Sequence, residues 1–195
     1  MARTAASAPR RAAHQVRIIG GQWKRTLLPV ADKPGLRPTP DRVRETLFNW
    51  LGQSLAGWRC IDAFAGSGAL GFEAASRGAA EVLMVEQDPE LAARLRALRE
   101  RLVATAVTVQ RGDGLAALRA RAPASADLVL VDPPFDAGLF EPALQAAAPA
   151  LAPDGAVYLE APQAWTDEQL APLGLGIHRY LQAGRVHAHL LRRTA

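Results

Sequence analysis

Hydrophobic and polar positions follow three different spacings along this 195-residue chain, and each spacing predicts a different kind of element. First, two β-prone stretches within residues 16–30 flank Gly20 and Gly21, which is typical of a β-hairpin. Residues 31–40 are rich in proline and predict a loop. A helix then follows, with Thr39 as the expected N-cap, Pro40 at the first helical position, and one apolar face made of Val43, Leu47, Trp50 and Leu51.

From Trp58 onward, short apolar stretches alternate with alanine- and leucine-rich stretches of helical spacing. The apolar stretches are 59–64, 81–86, 106–110, 126–131 and 155–160. This alternation predicts a doubly wound α/β fold with a parallel sheet. The last two β-prone stretches, 175–182 and 185–192, leave no room for a helix between them, so we expect an antiparallel hairpin at the sheet edge.

These patterns divide the chain into a basic tail expected to be disordered (1–13), a hairpin-and-helix extension (14–56) and a main domain (57–195). Charge follows a similar division. Residues 1–44 carry ten basic and two acidic side chains, whereas residues 45–195 carry thirteen and seventeen, so their net charges are +8 and −4. A basic extension on an acidic body predicts a polyanionic partner that binds the extension.

The composition also argues against several classes of protein. No apolar stretch reaches the roughly 20 residues needed to span a bilayer, and we expect no secretory signal because the first residues lack an apolar core. Cys60 is the only cysteine, which excludes an intramolecular disulfide framework and favours a reducing cytoplasm. His187 and His189 have the spacing of one strand face, but no third ligand accompanies them, so no metal site is expected. A monomer is the default expectation.

A glycine-rich loop follows the first strand of the main domain. Gly66, Gly68 and Gly71 match G-x-G-x-x-G, and glycine there permits a tight turn and close approach of a ligand to the backbone. Glu86 ends the next strand, 20 residues after Gly66, where a carboxylate can accept both ribose hydroxyls of an adenosine group. The motif therefore indicates an adenosine-containing cofactor.

Two further carboxylates favour S-adenosylmethionine over a dinucleotide. Asp62, four residues before Gly66, would repel a pyrophosphate but attract the ammonium group of a methionine moiety. Asp113 follows the third strand and is a candidate acceptor for the adenine amino group. It is equally a candidate N-cap for a helix over 114–121, and one residue can serve in both ways.

The fourth strand ends in Asp132-Pro133-Pro134-Phe135. Two prolines cannot extend a central strand, and in a sheet of order 3-2-1-4-5 the first and fourth strands are neighbours, so Asp132 would face the glycine loop. The Asp132 carboxylate and the Pro133 carbonyl, held rigid by Pro134, are candidate acceptors for the two hydrogens of an exocyclic base amine. Phe135 offers a face on which the base can stack. Alignment of the amine nitrogen with a sulfonium methyl group would supply most of the catalysis.

Longer stretches of the sequence resemble a known family. They are residues 17–23, 36–51, 62–71 and 76–80, together with the Asp132–Phe135 motif. Over about residues 14–192 the chain is similar to the bacterial RsmD family, the 16S rRNA guanine-N2 methyltransferases. Residues 161–175 match that family poorly, and residues 1–13 fall outside the resemblance.

The resemblance implies a Rossmann-like class I methyltransferase domain with a seven-stranded, mostly parallel sheet and an N-terminal hairpin extension. It implies methyl transfer to N2 of one guanine, of the guanine-966 type, in 16S rRNA of assembled or partly assembled small subunits. The residues expected to bind S-adenosylmethionine are Asp62, Phe64, Gly66, Gly68, Glu86, Asp113 and Gly114.

The extension supplies the candidate RNA contacts. We expect an RNA-facing surface beside the active site, made of Arg17, Lys24, Arg25, Arg37, Thr39, Arg42 and Arg44. Basic side chains that neutralise phosphates release counterions and so favour binding. Because Arg37, Arg42 and Arg44 lie at the loop-to-helix junction, an alternative role for one or two of them is to order the cofactor or Asp132.

Other functions stay open at this point. The glycine motif also fits a nicotinamide-dependent oxidoreductase, although Asp62 and the Asp132–Phe135 motif argue against it. The basic extension also fits a catalytically silent rRNA-binding assembly factor. Among methyltransferases, N6 of adenine in DNA or RNA and a protein amide are further candidate acceptors. The motif contacts the amino group and does not distinguish the ring that carries it.

Overall fold

The computed structural model describes residues 15–33, 36 and 38–194, so the predicted tail over 1–13 and Arg37 lie outside the described residues. The elements, in chain order, are β1 (Gln15–Arg17), β2 (Leu27–Pro29), α1 (Asp41–Trp50), β3 (Arg59–Asp62), α2 (Ala69–Ser76), β4 (Glu81–Glu86), α3 (Pro89–Arg101), β5 (Val107–Arg111), α4 (Gly114–Arg119), β6 (Ala126–Val131), α5 (Phe140–Ala150), β7 (Leu151–Ala161), α6 (Asp167–Leu170), β8 (Leu175–Ala183) and β9 (Val186–Arg193). A short 3₁₀ turn, Ala171–Leu173, links α6 to β8. No helix in the described part of the chain is both long and apolar enough to cross a bilayer.

Seven strands form one sheet in the order β5-β4-β3-β6-β7-β9-β8. The strands β5, β4, β3, β6 and β7 are parallel to their neighbours, whereas β9 pairs antiparallel with both β7 and β8. This arrangement confirms the predicted doubly wound α/β fold and the antiparallel hairpin at the sheet edge. It also places β3 beside β6, the two strands that carry the sequence motifs at their carboxyl ends.

Helices cover both faces of this sheet, which explains why its central strands are continuous apolar stretches. The consecutive side chains from Leu128 to Val131 in β6 are all fully buried. One core joins the extension, α1, α2 and α3 to the first face, and a second core joins α4 and α5 to the other. Burying a leucine or valine completely contributes about 1.5–3 kcal/mol, so the two cores hold the strand ends in place.

The extension begins with the predicted hairpin, in which β1 pairs antiparallel with β2. The helix after the loop differs from the sequence prediction at its first turn. It starts at Asp41, its N-cap is Pro40 with φ −56° and ψ 145°, and no side chain caps it. The predicted N-cap, Thr39, is therefore wrong. The Thr39 side chain instead lies close to the Glu160 carboxyl, whose pKa it lowers.

A buried ion cluster joins the extension to the main domain. Glu73, in the middle of α2, is fully buried and accepts hydrogen bonds of 2.7 Å from the backbone N–H groups of both Ile19 and Gly20. Its carboxylate also pairs with the guanidinium groups of Arg44 at 3.3 Å and Arg77 at 2.9 Å. Since a buried charge needs partners, this cluster fixes the turn after β1, α1 and α2 against one another.

Candidate active site at the carboxyl edge of the sheet

Four carboxylates lie at the carboxyl ends of neighbouring strands. Asp62 ends β3 and is paired in register with Met84 of β4 and Leu130 of β6. Glu86 ends β4, Asp132 follows β6, and Glu160 lies one residue before the end of β7. Ligands bind above this edge in open α/β sheets. The predicted approach of Asp132 to the glycine loop is confirmed, because β3 and β6 pair directly and the backbone N–H of Ala63 donates to the Leu130 carbonyl at 3.1 Å.

Glu86 shapes the glycine loop from the neighbouring strand. One of its carboxylate oxygens accepts the backbone N–H of Gly66 at 2.8 Å, and the other accepts that of Asp88 at 2.8 Å. Gly66 and Gly68 have φ of 50° and 81°, in the left-handed region that favours glycine. A Cβ at Gly68 would also lie 2.7 Å from the Leu95 side chain. The loop is therefore held close to α3.

Asp62 lies beneath the same loop. It is buried and accepts the backbone N–H of Gly71, in the first turn of α2, at 3.0 Å. Burial raises the pKa of its carboxyl to about 7, and the nearby Glu86 charge adds to that rise. A hydrogen bond from the Phe64 backbone acts in the opposite direction. Asp62 thus combines a role in the turn with a negative charge close to the edge of the crevice.

Asp113 and Gly114 occupy the corresponding position after β5. Asp113 is the N-cap of α4 and accepts the Ala116 N–H at 2.7 Å, which confirms the predicted capping role. The helix ends at Arg119, two residues earlier than predicted. Gly114 is buried, and a Cβ there would collide with the backbone carbonyl of Ala63. Its lack of a side chain therefore lets α4 pack directly against the end of β3.

The Asp132–Phe135 loop leaves the sheet at the switch point. Asp132 is half-buried, Pro133 is buried, and both Pro134 and Phe135 are exposed. Burial raises the pKa of Asp132 well above its usual range, and the charges of Glu160 and Asp62 raise it further. No hydrogen-bond donor among the described residues offsets this rise. The Phe135 ring is 39% exposed and lies 6.2 Å from that of Phe140, so it projects from a supported loop with a free face.

Sequence reasoning missed two residues of this site, Tyr158 and Glu160. Glu160 is 4% exposed, accepts the Tyr158 hydroxyl at 3.0 Å and lies close to the Thr39 side chain. Burial raises the pKa of Glu160 above its usual value, although both neighbours act to lower it. An acidic residue that ends a buried apolar stretch was the available signal, because Val131 and Leu159 pair in register and bring Asp132 beside Glu160.

The extension does not form the continuous RNA-facing surface predicted beside the active site. Arg44 is fully buried in the Glu73 cluster, and Thr39 is 3% exposed, so their assignment to that surface is wrong. Burial of Arg44 is expected because its guanidinium group pairs with the buried Glu73 carboxylate.

Four predicted RNA contacts are exposed, but they lie in different places. Lys24 and Arg25 belong to the turn between β1 and β2, which hydrogen-bonds Ser76 at the last residue of α2. Since the glycine loop precedes α2, the helix length of about 12 Å separates that turn from the loop, and an RNA contact by this pair stays a prediction. Arg17 is exposed on β1, and Arg42 is exposed in the first turn of α1, close to Thr39.

Metal coordination has no evident place in the described ranges. These residues contain no group of three or more histidine, cysteine, aspartate or glutamate side chains arranged to hold a metal ion. His189 is buried and accepts the backbone N–H of Trp165 at 3.1 Å, while His187 hydrogen-bonds Tyr180. Both histidines therefore have local partners within the sheet edge.

Comparison with known proteins identifies the family. The family described as Conserved hypothetical protein 95 matches residues 16–192. The Escherichia coli K12 protein named Ribosomal RNA small subunit methyltransferase D is 40% identical over 189 residues, covering 93% of this chain and 91% of its own. The Haemophilus influenzae protein of that name is 36% identical over 181 residues, covering 86% of this chain and 94% of its own.

Solved structures agree with this match. The structure of Escherichia coli yhhF has a TM-score of 0.80 and 41% identity, and the alignment covers 93% of this chain and 99% of that one. The Pyrococcus horikoshii protein PH1948, at 21% identity, has a TM-score of 0.70 over 86% of this chain and 94% of its own, which supports the fold alone. The Rossmann-like class I methyltransferase fold is confirmed, and the chain belongs to the RsmD family of ribosomal RNA small subunit methyltransferases.

Proposed function

We propose that this protein transfers a methyl group from S-adenosylmethionine to the exocyclic N2 amine of one guanine in 16S rRNA. The observation that carries the proposal is the Asp132 carboxylate, half-buried beside the glycine loop with no compensating donor among the described residues. Relatives named Ribosomal RNA small subunit methyltransferase D support rRNA of the small subunit as the substrate. We further propose that the substrate is the assembled or partly assembled small subunit.

The residues around the glycine loop fit this cofactor. Asp62, Glu86 and Asp132 surround the crevice with carboxyl groups, and no lysine or arginine among the described residues pairs with them. Such a site attracts the ammonium and sulfonium groups of S-adenosylmethionine and repels the phosphates of a dinucleotide. When bound, the cofactor supplies an electrophilic methyl group. Glu86 would then hold the ribose hydroxyls, and Asp113 the adenine amino group.

The protein's own contribution to the reaction is to orient the amine. The lone pair of an exocyclic amine is delocalised into the base, so the nitrogen is a poor nucleophile. Acceptance of its two hydrogens by the Asp132 carboxylate and the Pro133 carbonyl favours a pyramidal nitrogen, and stacking on Phe135 fixes the ring. When the N–C bond forms and the methyl–sulfur bond breaks, the nitrogen loses a proton, for which Asp132 is the adjacent acceptor.

The decisive experiment is mass spectrometry of rRNA nucleosides from a deletion strain, with positional mapping. We expect one N2-methylguanosine of 16S rRNA to disappear and to return with the wild-type gene but not with an Asp132→Ala gene. Loss of a methyladenosine instead would contradict the assignment to guanine. Unchanged rRNA methylation would contradict the proposal as a whole.

Two assays with purified protein separate the remaining alternatives. Thermal stabilisation by S-adenosylhomocysteine but not by NAD would exclude the oxidoreductase. Single-turnover methyl transfer to small-subunit particles would exclude a silent assembly factor, whereas binding without transfer would support it.

A further inference from the structure

The β8–β9 hairpin has the position, charge and exposed aromatic side chain of a nucleic-acid contact, although none of the sequence motifs includes it. We propose that this hairpin is a docking surface for the RNA strand that flanks the target base. The inference rests on the proposed function and goes beyond it by naming a second contact surface.

The sheet register places the hairpin at the catalytic edge. Val131 pairs with Leu159, Leu159 with His189, and His189 with Tyr180, so Tyr180 lies on the same row as the residue before Asp132. Neighbouring strands are about 4.8 Å apart, and this row crosses three intervals, so Tyr180 lies roughly 14 Å from the strand that ends in Asp132. Because β7 ends opposite His187, the hairpin turn extends past the end of β7 on the catalytic side.

The charge of this region opposes that of the rest of the main domain. Residues 169–195 contain four arginines, three histidines and no acidic residue, whereas residues 57–168 contain nine basic and sixteen acidic residues. Arg179 and Arg185 are exposed in the half of the hairpin that includes the turn. A cationic strip beside an acidic crevice can hold phosphates while leaving the cofactor site attractive to a cation.

Tyr180 is held in a way that suits base stacking. Its hydroxyl is 2.7 Å from Nδ1 of His187, and its ring centroid is 5.0 Å from that of the buried His189. The side chain nevertheless remains 44% exposed. In the part of the chain that the structure describes, Tyr180 and Phe135 are the two aromatic residues among the exposed large apolar side chains. Ordered aromatic rings with a free face are the usual platforms for unpaired bases.

The first turn of α1 adds a cation on the opposite face of the sheet from Tyr180, because α1 packs in the core that contains Leu190, whereas Leu159, in the Tyr180 row, belongs to the second core. The helix packs beside β8 and begins next to Thr39, which lies close to Glu160 at the catalytic edge. Arg42 is exposed in that first turn. The hairpin edge and Arg42 therefore offer an RNA strand a path towards Asp132.

The test compares three variants of the full chain in filter binding to small-subunit particles at several salt concentrations. The double variant Arg179→Ala/Arg185→Ala should reduce the salt slope by about 1.4–1.8, since each lost phosphate contact contributes roughly 0.7–0.9. Tyr180→Ala should weaken binding by roughly 5- to 150-fold with little change in slope. The control, Arg119→Ala/Arg121→Ala, removes the same charge from exposed positions at or just beyond the end of α4, toward the opposite edge, and should resemble wild type.

Activity and cofactor assays make the outcome decisive. The hairpin variants should raise KM for particles and leave kcat and affinity for S-adenosylhomocysteine unchanged. Wild-type slope, affinity and KM in both hairpin variants would overturn the inference. Reduced binding to particles with normal binding to protein-free 16S rRNA would also overturn it, because the hairpin would then contact a ribosomal protein. Particle binding by wild type without methyl transfer would contradict the proposed function alone.

Discussion

Two groups of buried carboxylates in this protein differ in how their charge is compensated. Glu73 receives two backbone N–H groups and two guanidinium groups, and every one of these partners belongs to the scaffold that joins the extension to α2. Asp132 and Glu160 face each other without a cation among the described residues, and burial raises the pKa of both. Buried carboxylates with compensating partners therefore belong to the structural framework, and buried carboxylates without them belong to the candidate active site.

The difference has an energetic consequence. A buried carboxylate whose pKa is raised destabilises the folded state at neutral pH. The folded state binds a proton there more tightly than the unfolded chain does, and few protons are available at that pH. Asp132 and Glu160 therefore both lower the stability of the folded state. A bound cationic cofactor or amine substrate would reduce this destabilisation. Removing a charge should thus have opposite effects on stability in the two groups.

The largest effect is expected at Asp132. Asp132→Ala should abolish methyl transfer, by about 10³-fold or more, because the amine loses its orienting acceptor. Affinity for S-adenosylmethionine, measured by calorimetry, should change little. Asp132→Asn should be equally inactive yet raise Tm in the absence of ligand, since it removes an uncompensated charge. Substantial turnover in the purified alanine variant would remove Asp132 from the catalytic role.

The next largest effect is expected at Glu73. Glu73→Ala leaves Arg44 and Arg77 without their buried partner, so the free energy of unfolding in urea should fall by about 3–5 kcal/mol. Glu90→Ala is the matched control, because it removes an exposed carboxylate that also pairs with two cations, Lys33 and Arg94, and should leave stability nearly unchanged. Equal stability of the two variants would show that the Glu73 cluster is not the structural anchor.

A smaller effect is expected at Glu86, which belongs to neither group. Its carboxylate is already hydrogen-bonded by Gly66 and Asp88, and the proposed ribose contact would use the same oxygens. Glu86→Ala should weaken S-adenosylmethionine binding by about 1–3 kcal/mol in calorimetry, through the lost hydrogen bonds and a looser loop. Glu86→Gln, which keeps one acceptor oxygen, should lose less. Wild-type affinity in the alanine variant would exclude Glu86 from the cofactor site.

The same comparison shows how far the sequence could be interpreted. Apolar stretches and their spacing predicted every strand of the large sheet and its edge hairpin, because buried parallel strands have a distinctive pattern. The two motifs also predicted which loops meet, since the order of strands in such sheets follows a rule. The N-cap at Thr39 was wrong because the helix begins at Asp41 with Pro40 as its N-cap, and the Thr39 side chain lies near Glu160, a residue distant in sequence.

Charge was harder to interpret than apolarity. The excess of basic residues before position 45 was counted as one RNA-facing surface, yet Arg44 is buried and Lys24 lies beyond the far end of α2. A count cannot tell a solvated arginine from one that neutralises a buried glutamate 29 positions away. Glu160 was missed for a related reason, because its significance depends on the register that places it beside Asp132.

The smallest expected effect, and the most direct test of the comparison, is a change in pH dependence at Glu160. The groups that face Asp132 here are Glu160, Asp62 and Tyr158, and the two carboxylates raise its pKa. Since Asp132 must be ionised to accept the amine hydrogens, single-turnover transfer at saturating cofactor should increase as pH rises through that raised pKa. Glu160→Gln removes one neighbouring negative charge, which lowers the pKa of Asp132.

The rising limb of the pH profile should therefore move to lower pH in Glu160→Gln, with a similar rate on the plateau. Stability should change in a linked way. Raised carboxyl pKa values mean that the folded protein holds protons more tightly than the unfolded chain. Tm of the wild type should therefore fall as pH rises from the ordinary carboxyl pKa through the raised values, and by less in the variant. A rising limb at the same pH in both proteins would show that Glu160 does not act on Asp132, and that its burial serves only the contacts with Tyr158 and Thr39.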